Sequence, residues 1–170
     1  MYKSEIQNLP KFFDRYINQV DAQFTLLESF QHSLEILESA EFAALEKIQL
    51  YAYSAGKWTI NQILQHLIDV ERIFGYRALR FARNDKTELQ GFDENFFADE
   101  ANTNDRNFQS LKAELILLRQ STILLFESFN DAMLANIGTA NKVEISVLAL
   151  GFAIIGHQNH HLTVIKERYL

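Results

Sequence analysis

The sequence predicts an all-α protein, a four-helix bundle with a long loop between the second and third long helices. Only one proline and six glycines interrupt the 170 residues, and both residue types break or weaken helices. Four long stretches repeat apolar side chains at three- and four-residue steps, as one face of a helix does. Strand-like alternation is hard to find. We therefore expect a single helical domain over residues 1–170.

The first long helix is expected over about Asp21 to Ser39. Its apolar face comprises five residues, Phe24, Leu27, Phe30, Leu34 and Leu37. A short helix near Lys11 to Asn18 should precede it, and another near Glu41 to Lys47 should follow. These periodic residues predict one amphipathic helix that buries its apolar face.

The second long helix is expected to begin after Thr59 and to continue to about Asn84. Gly56 permits a turn before it, Thr59 can cap its first turn, and Gln62 completes a capping box. A polar connection from Asp85 to Asn104 follows. A loop of this length in a compact domain is often functional or poorly ordered.

The third and fourth long helices are expected over about Asn107 to Phe129 and about Glu144 to Tyr169. Four amphipathic helices of this length form a bundle, and such bundles commonly build metal sites from side chains on facing helices. Histidines and carboxylates on the apolar faces are therefore the candidate metal ligands.

Charge and composition narrow the class of protein. The net charge of −6 argues against a nucleic-acid partner, because phosphate binding needs a positive surface. The longest nearly apolar run, Ser146 to Ile155, is about half of a membrane span. The chain has no cysteine, which removes thiolate nucleophiles and cysteine-based zinc sites. The N-terminus lacks the apolar segment of a secretory signal. We expect a cytoplasmic protein that contacts neither nucleic acid nor membrane.

Two histidines of the last helix, His157 and His161, share an apolar stripe. They lie about 40° apart on a helical wheel with a rise of about 6 Å, so their imidazoles can converge on one ion. His160 falls about 60° to the other side, on a less apolar flank. An isolated pair of this spacing is more often a surface coincidence. The apolar stripe favours a metal site, because buried imidazoles without partners are costly.

A third histidine, His66, lies inside the apolar stripe of the second long helix. A lone histidine there is more often a hydrogen-bonded core residue than a ligand. Three inward histidines on two helices nevertheless predict one divalent metal site made by His66, His157 and His161. Three nitrogen ligands leave positions open, as catalytic sites do. Zinc is the expected metal, with nickel or iron as alternatives. His32, on a polar face, is given no role.

Asp69 lies one turn after His66, at the edge of the apolar stripe. Its carboxylate could orient a ligand imidazole, act as a catalytic base, or face solvent, which is the commonest position for such a residue. Four aromatic residues, Trp58, Phe92, Phe96 and Phe97, could line a pocket or simply close the end of the bundle. The sequence leaves these alternatives open.

The segments that carry these residues resemble the DinB superfamily. The matching elements are YSAGKWTINQILQHLID from Tyr53, FDEN from Phe92 and GHQNHHL from Gly156. The resemblance spans about Pro10 to Leu170 and implies a four-helix bundle. It also implies a divalent metal held by one histidine of the second long helix and two of the last, here His66, His157 and His161. The additional His160 leaves open which pair of the last helix is used.

The resemblance implies a metal-dependent enzyme with a small-molecule substrate, because the family includes metal-dependent hydrolases and thiol-dependent S-transferases. A cation held by three histidines could activate water or deliver a low-molecular-weight thiol to an electrophile. The alternatives are a non-catalytic metal-binding bundle in stress response or protein interaction, and a helical interaction module without metal. An open cleft beside the cation would favour an enzyme, and aromatic closure would favour a structural site.

Many relatives pair, so a homodimer is expected. The face of the last helix that points away from its histidines, with Leu148, Ile155 and Leu162, could pack against neighbours.

Overall fold

The structure is a computed structural model that describes residues 1–170, with every side chain except that of Asn104. The α-helices in chain order are α1 (Asp14–Ile17), α2 (Leu26–Glu38), α3 (Ala40–Ala44), α4 (Ile60–Ala82), α5 (Glu94–Glu100), α6 (Phe108–Glu127), α7 (Asp131–Ala135) and α8 (Val147–Arg168). Short 3-10 helices cover Lys3–Glu5, Leu45–Ile48 and Thr103–Asp105, and two strands, β1 (Ile137–Ala140) and β2 (Val143–Ser146), precede α8.

The long helices α2, α4, α6 and α8 form the four-helix bundle that the sequence predicts. Helix α8 packs against α4, α2 and α1, while α6 packs against α4 and α2. The fold prediction is therefore confirmed, with a two-stranded hairpin in addition. None of the helices in the described part of the chain combines the length and the apolar character that a membrane span requires.

Side-chain caps determine where the first two long helices begin. Thr59 Oγ1 accepts a hydrogen bond from the Gln62 amide at 3.2 Å, and Gln62 Oε1 accepts one from the Thr59 amide at 2.9 Å. This is the capping box expected at the start of α4. Helix α2 begins at Leu26 rather than near Asp21, because Thr25 and Glu28 form an equivalent capping box there.

The connection between α4 and α6 is more ordered than the loop that we expected. It contains α5, whose first turn is capped by the Asp93 carboxylate through the amides of Asn95 and Phe96 at 3.0 and 3.1 Å. Leu89, earlier in the connection, pairs with β1, because its amide donates to the Thr139 carbonyl at 3.0 Å. The connection is thus fixed against the rest of the domain.

The last long helix begins at Val147, later than the expected Glu144, because the preceding residues form a hairpin. Strands β1 and β2 are antiparallel and pair Ile137 with Ser146. The turn residues Asn141 and Lys142 have φ of 50° and 64°, as a type I′ turn requires. Ser146 then caps α8 by accepting a hydrogen bond from the Ala149 amide at 3.1 Å.

Helix α8 is the central helix of the domain, and its apolar residues are buried by the chain itself. Leu148 and Ile155, which we expected to pack against neighbours, belong to the core shared with α1, α2 and α4, and Leu162 is half-buried against a second core cluster. The neighbours of this face are thus helices of the same chain, and the homodimer stays a prediction.

Candidate metal centre

Helices α4 and α8 bring His66, His157 and His161 together. The Nε2 atom of His157 lies 3.0 Å from Nε2 of His66 and 3.1 Å from Nε2 of His161. One ligand atom from each of the three residues lies within 4.8 Å of the others. We call these residues the histidine cluster. The structure thus places together the three side chains predicted as ligands.

The other two histidines lie outside the histidine cluster. The ring of His160 packs against Tyr16 at a centroid distance of 5.4 Å, and its Nδ1 is 3.5 Å from Gln19 Nε2. His32 is on the surface, where its Nδ1 lies 3.0 Å from a carboxylate oxygen of Glu35. Of the two candidates on the last helix, the structure places His161 and not His160 in the cluster.

Hydrogen bonding alone cannot satisfy the histidine cluster. The Nε2 atom of a neutral imidazole has either one lone pair or one proton, whereas His157 Nε2 has two close nitrogen neighbours. The planes of the three rings are steeply inclined, by 65° to 80°. At most one of the two contacts of His157 is a good hydrogen bond. A divalent cation bound by the three lone pairs satisfies all three nitrogens, so the donor set fits a metal.

Burial keeps these imidazoles in the neutral form that binds metals. Desolvation lowers the pKa of His66 from 6.5 to about 4. Desolvation, with the neighbouring His66 as a second cause, lowers the pKa of His161 to about 3. Burial likewise lowers the pKa of His157 well below its ordinary value. At neutral pH the cluster therefore offers three uncharged nitrogen donors.

Two aromatic residues position the rings of the cluster. Trp58 lies 4.7 Å from His66 and stacks on His161 at 6.2 Å with an interplanar angle of 24°. Tyr16 of α1 meets His157 edge-on at 5.2 Å. Helix α1 comes this close because Gly156 of α8 has no side chain: a Cβ there would lie 2.0 Å from the Tyr16 carbonyl oxygen.

A cavity of about 250 Å³ reaches the histidine cluster, and His66 and His157 form part of its wall. Most of the wall is apolar, from Phe12, Phe13, Val70, Phe74 and Phe92. Its polar groups come from Tyr16, Arg77, Glu94 and Asn141. We call it the phenylalanine cavity. It offers space for a small organic molecule beside two of the three histidines.

A second cavity of about 260 Å³ lies on the His161 side of the cluster. It is bordered by Trp58, His160 and His161, with Lys57 and Asn95 at its edge. We call it the tryptophan cavity. The first residues of α5 lie between the two mouths, since Glu94 borders the phenylalanine cavity and Asn95 borders the tryptophan cavity.

Asp69 is not brought to the histidine cluster. Its Oδ1 accepts a hydrogen bond from Gln65 Nε2 at 2.9 Å, and burial raises the pKa of its carboxyl group. It borders a separate shallow cavity with Phe96 and Phe97. A role for Asp69 as base or as a partner of a ligand imidazole stays a prediction.

None of the four polar groups of the phenylalanine cavity was assigned a role from the sequence. Arg77 comes eleven residues after His66, which places it about 20° from His66 on a helical wheel. An arginine on the apolar face of the second long helix could therefore have been identified from the sequence as a candidate site residue. Tyr16 had no such signal, because α1 has only four residues and too short a span for periodicity.

Comparison with known proteins agrees with this fold. The model of the DinB superfamily matches residues 26–165. No curated protein matches the chain. A similar solved structure is YfiT from Bacillus subtilis, described as a probable metal-dependent hydrolase with an unusual four-helix bundle topology. It has 17% identity and a TM-score of 0.65, over 95% of this chain and 88% of its own. Because the family model covers most of the 170 residues, the chain belongs to the DinB superfamily.

Proposed function

We propose that this chain is a metal-dependent hydrolase of small organic molecules, with a divalent cation bound by His66, His157 and His161. Zinc is the expected cation, with nickel or iron as alternatives. The observation that carries the proposal is the convergence of three neutral imidazoles at the wall of the phenylalanine cavity. A cation enclosed by protein on every side would instead favour a structural role.

A divalent cation supplies Lewis acidity, which lowers the pKa of water and polarises a carbonyl or phosphoryl oxygen. Residues of the cavity supply binding and proton transfer. Burial raises the pKa of the Tyr16 phenol, so the phenol keeps its proton at neutral pH and can donate a hydrogen bond to a substrate oxygen. Glu94, exposed on the rim, offers a carboxylate that can accept a proton. The apolar wall excludes water from the bound substrate.

Elemental analysis of protein purified without a nickel column tests the cation, and ester hydrolysis tests the reaction. We expect one divalent ion per chain and hydrolysis of p-nitrophenyl esters that a chelator abolishes and added zinc restores. His157→Ala should lack both the ion and the activity, whereas His32→Ala should keep both. A bound ion with no turnover on any ester would favour the non-catalytic metal-binding alternative. Absence of the ion would contradict the proposal.

Transfer of a low-molecular-weight thiol to an electrophile is the second candidate, and the tryptophan cavity favours it. A transfer reaction needs room for two molecules at one cation, and the cavity beside His161 provides a second space. His160 on its wall can accept the thiol proton, because burial lowers the pKa of its imidazole and leaves it neutral at pH 7.

The two reactions are separated by following consumption of glutathione with 1-chloro-2,4-dinitrobenzene. A transferase should consume the thiol only with the metal bound, and His160→Ala should slow the reaction without removing the metal. Ester hydrolysis without thiol consumption would support the hydrolase and exclude this thiol as the second substrate.

A further inference from the structure

The phenylalanine cavity contains a buried arginine, Arg77, for which the described side chains provide no acidic partner. Arg77 is 4% exposed, and its Nη2 donates a hydrogen bond to the Gln90 carbonyl oxygen at 2.9 Å. Its guanidinium also lies 5.7 Å from the centre of the Phe74 ring. Among the residues whose side chains are described, no carboxylate forms an ion pair with Arg77. Of its five N–H donors, one is bound to the neutral Gln90 carbonyl oxygen, and none has a carboxylate acceptor among the described side chains.

The other buried arginine of the domain shows what such a group normally requires. Arg119 is 1% exposed, and its Nε and Nη2 each donate to one carboxylate oxygen of Glu71 at 2.9 Å. A third donor, Nη1, contacts the Ser33 hydroxyl. Buried guanidinium groups are costly unless paired in this way. Arg77 is nearly as buried as Arg119 but has no such carboxylate among the described residues. Desolvation lowers the pKa of Arg77.

We propose that the phenylalanine cavity binds substrates that carry a carboxylate, and that Arg77 is the group that recognises it. The inference deepens the proposed function, since it places the substrate in the same cavity. A planar guanidinium matches a carboxylate in a two-bond geometry. The only carboxylate among the described residues that line the cavity is Glu94, which is exposed at the rim. A substrate carboxylate would therefore be the partner that Arg77 lacks.

The spacing along α4 describes the rest of the substrate. His66, Val70, Phe74 and Arg77 follow one another on the cavity side of the helix. Their positions span about 16 Å along the axis at 1.5 Å per residue. The anionic end is thus separated from the reacting end by an apolar segment that contacts Phe74 and Phe92.

The test compares a carboxylate with its neutral counterpart, 4-phenylbutanoate with 4-phenylbutanamide, by ligand-observed NMR titration at pH 7.5. The protein is treated with chelator and then desalted, so that neither a cation at the histidine cluster nor the chelator competes for the carboxylate. The imidazoles of the cluster are neutral at this pH and do not attract the anion. We expect the carboxylate to bind at least about tenfold more tightly than the amide.

Three variants assign the preference to Arg77. Arg77→Met should bring the ratio of the two affinities close to one while leaving amide binding within about threefold of the original. Arg77→Lys should retain part of the preference. Arg80 lies one turn further along α4 and already pairs with Asp85. The Arg80→Met variant should therefore retain the full preference for the carboxylate.

Equal binding of both probes to the unaltered protein would overturn the proposal. Equal loss of both probes in a folded Arg77→Met variant would also overturn it, because Arg77 would then act only by holding Gln90. If circular dichroism shows that Arg77→Met does not fold, the ratio of carboxylate to amide affinity is compared between the unaltered protein and Arg77→Lys instead. Metal content is measured separately. Failure to bind metal would contradict the proposed function, whereas the carboxylate preference is measured on metal-free protein and tests only the role of Arg77.

Discussion

The five histidines of the chain differ in what surrounds each imidazole. His66, His157 and His161 meet through their Nε2 atoms inside the domain, whereas His160 packs on Tyr16 and His32 faces a surface glutamate. Burial makes the first three poor bases and good metal donors, because the neutral form carries the free lone pair. Metal affinity should therefore depend on these three side chains and not on the number of histidines.

Removal of any one cluster histidine is expected to abolish stoichiometric metal binding. His66→Ala, His157→Ala and His161→Ala each leave two nitrogen donors, fewer than the three protein ligands that hold zinc in an open catalytic site. The measurement is metal content per chain after equilibrium dialysis against zinc. His160→Ala and His32→Ala are the matched controls and should keep one ion. Loss of metal in His160→Ala with retention in His161→Ala would contradict the assignment.

The contact between α1 and α8 depends on one residue without a side chain. Gly156→Ala would place a methyl group 2.0 Å from a backbone oxygen of α1, and backbone cannot move aside as a flexible side chain can. We expect the free energy of unfolding to fall by at least about 2 kcal/mol, as measured by urea denaturation. The displaced α1 should also carry Tyr16 away from His157.

Gly75 of α4 provides the matched control, because a Cβ there would meet no atom within 4 Å. Gly75→Ala should raise the free energy of unfolding by about 0.5–1 kcal/mol through helix propensity. Similar effects of the two substitutions would show that the α1–α8 contact is looser than the structure indicates.

The long helices could be predicted because each carries its own signals, as Thr59 and Gln62 do at the start of α4. The hairpin before α8 could not, because each strand has only four residues and its turn has Lys142 where glycine usually provides the positive φ. The histidine cluster could be predicted from the spacing of histidines on two helices. The phenylalanine cavity could not be predicted, because Tyr16 and Asn141 reach it from elements whose placement depends on tertiary contacts such as the one at Gly156.

The buried imidazoles make the stability of the metal-free domain dependent on pH. A histidine whose pKa is lowered on folding binds its proton in the unfolded chain first, so acid favours unfolding below pH 6.5. Between pH 7 and pH 5 we expect each such histidine to lower the free energy of unfolding by about 2 kcal/mol. The window follows from the lowered values, about 4 for His66 and about 3 for His161.

Urea denaturation of chelator-treated protein at pH 7 and pH 5 measures this effect. Between pH 7 and pH 5, the free energy of unfolding of His161→Gln should fall by about 2 kcal/mol less than that of the unaltered protein. His32→Gln, on the surface, should behave like the unaltered protein. An unchanged pH dependence in His161→Gln would mean that His161 is charged or exposed in the metal-free domain.

Self-association into a homodimer stays a prediction, and the buried face of α8 cannot provide the contact. The exposed apolar residues of α6, Leu117 and Leu124, lie seven residues apart on one side of that helix and are 65% and 67% exposed. We expect sedimentation to give twice the chain mass of 19.7 kDa. The variant Leu117→Glu with Leu124→Glu should sediment as a monomer, and a monomer for the unaltered protein at high concentration would contradict the prediction.

The two cavities that border the histidine cluster also bear on the order in which reactants can bind. Because His66 and His157 face one cavity and His161 faces the other, a molecule in either cavity leaves the second entrance free. A reaction between two molecules at this cluster would thus pass through a ternary complex formed in random order. Its initial rates would give intersecting lines in double-reciprocal plots, and an inhibitor shaped for one cavity would compete with only one of the two reactants.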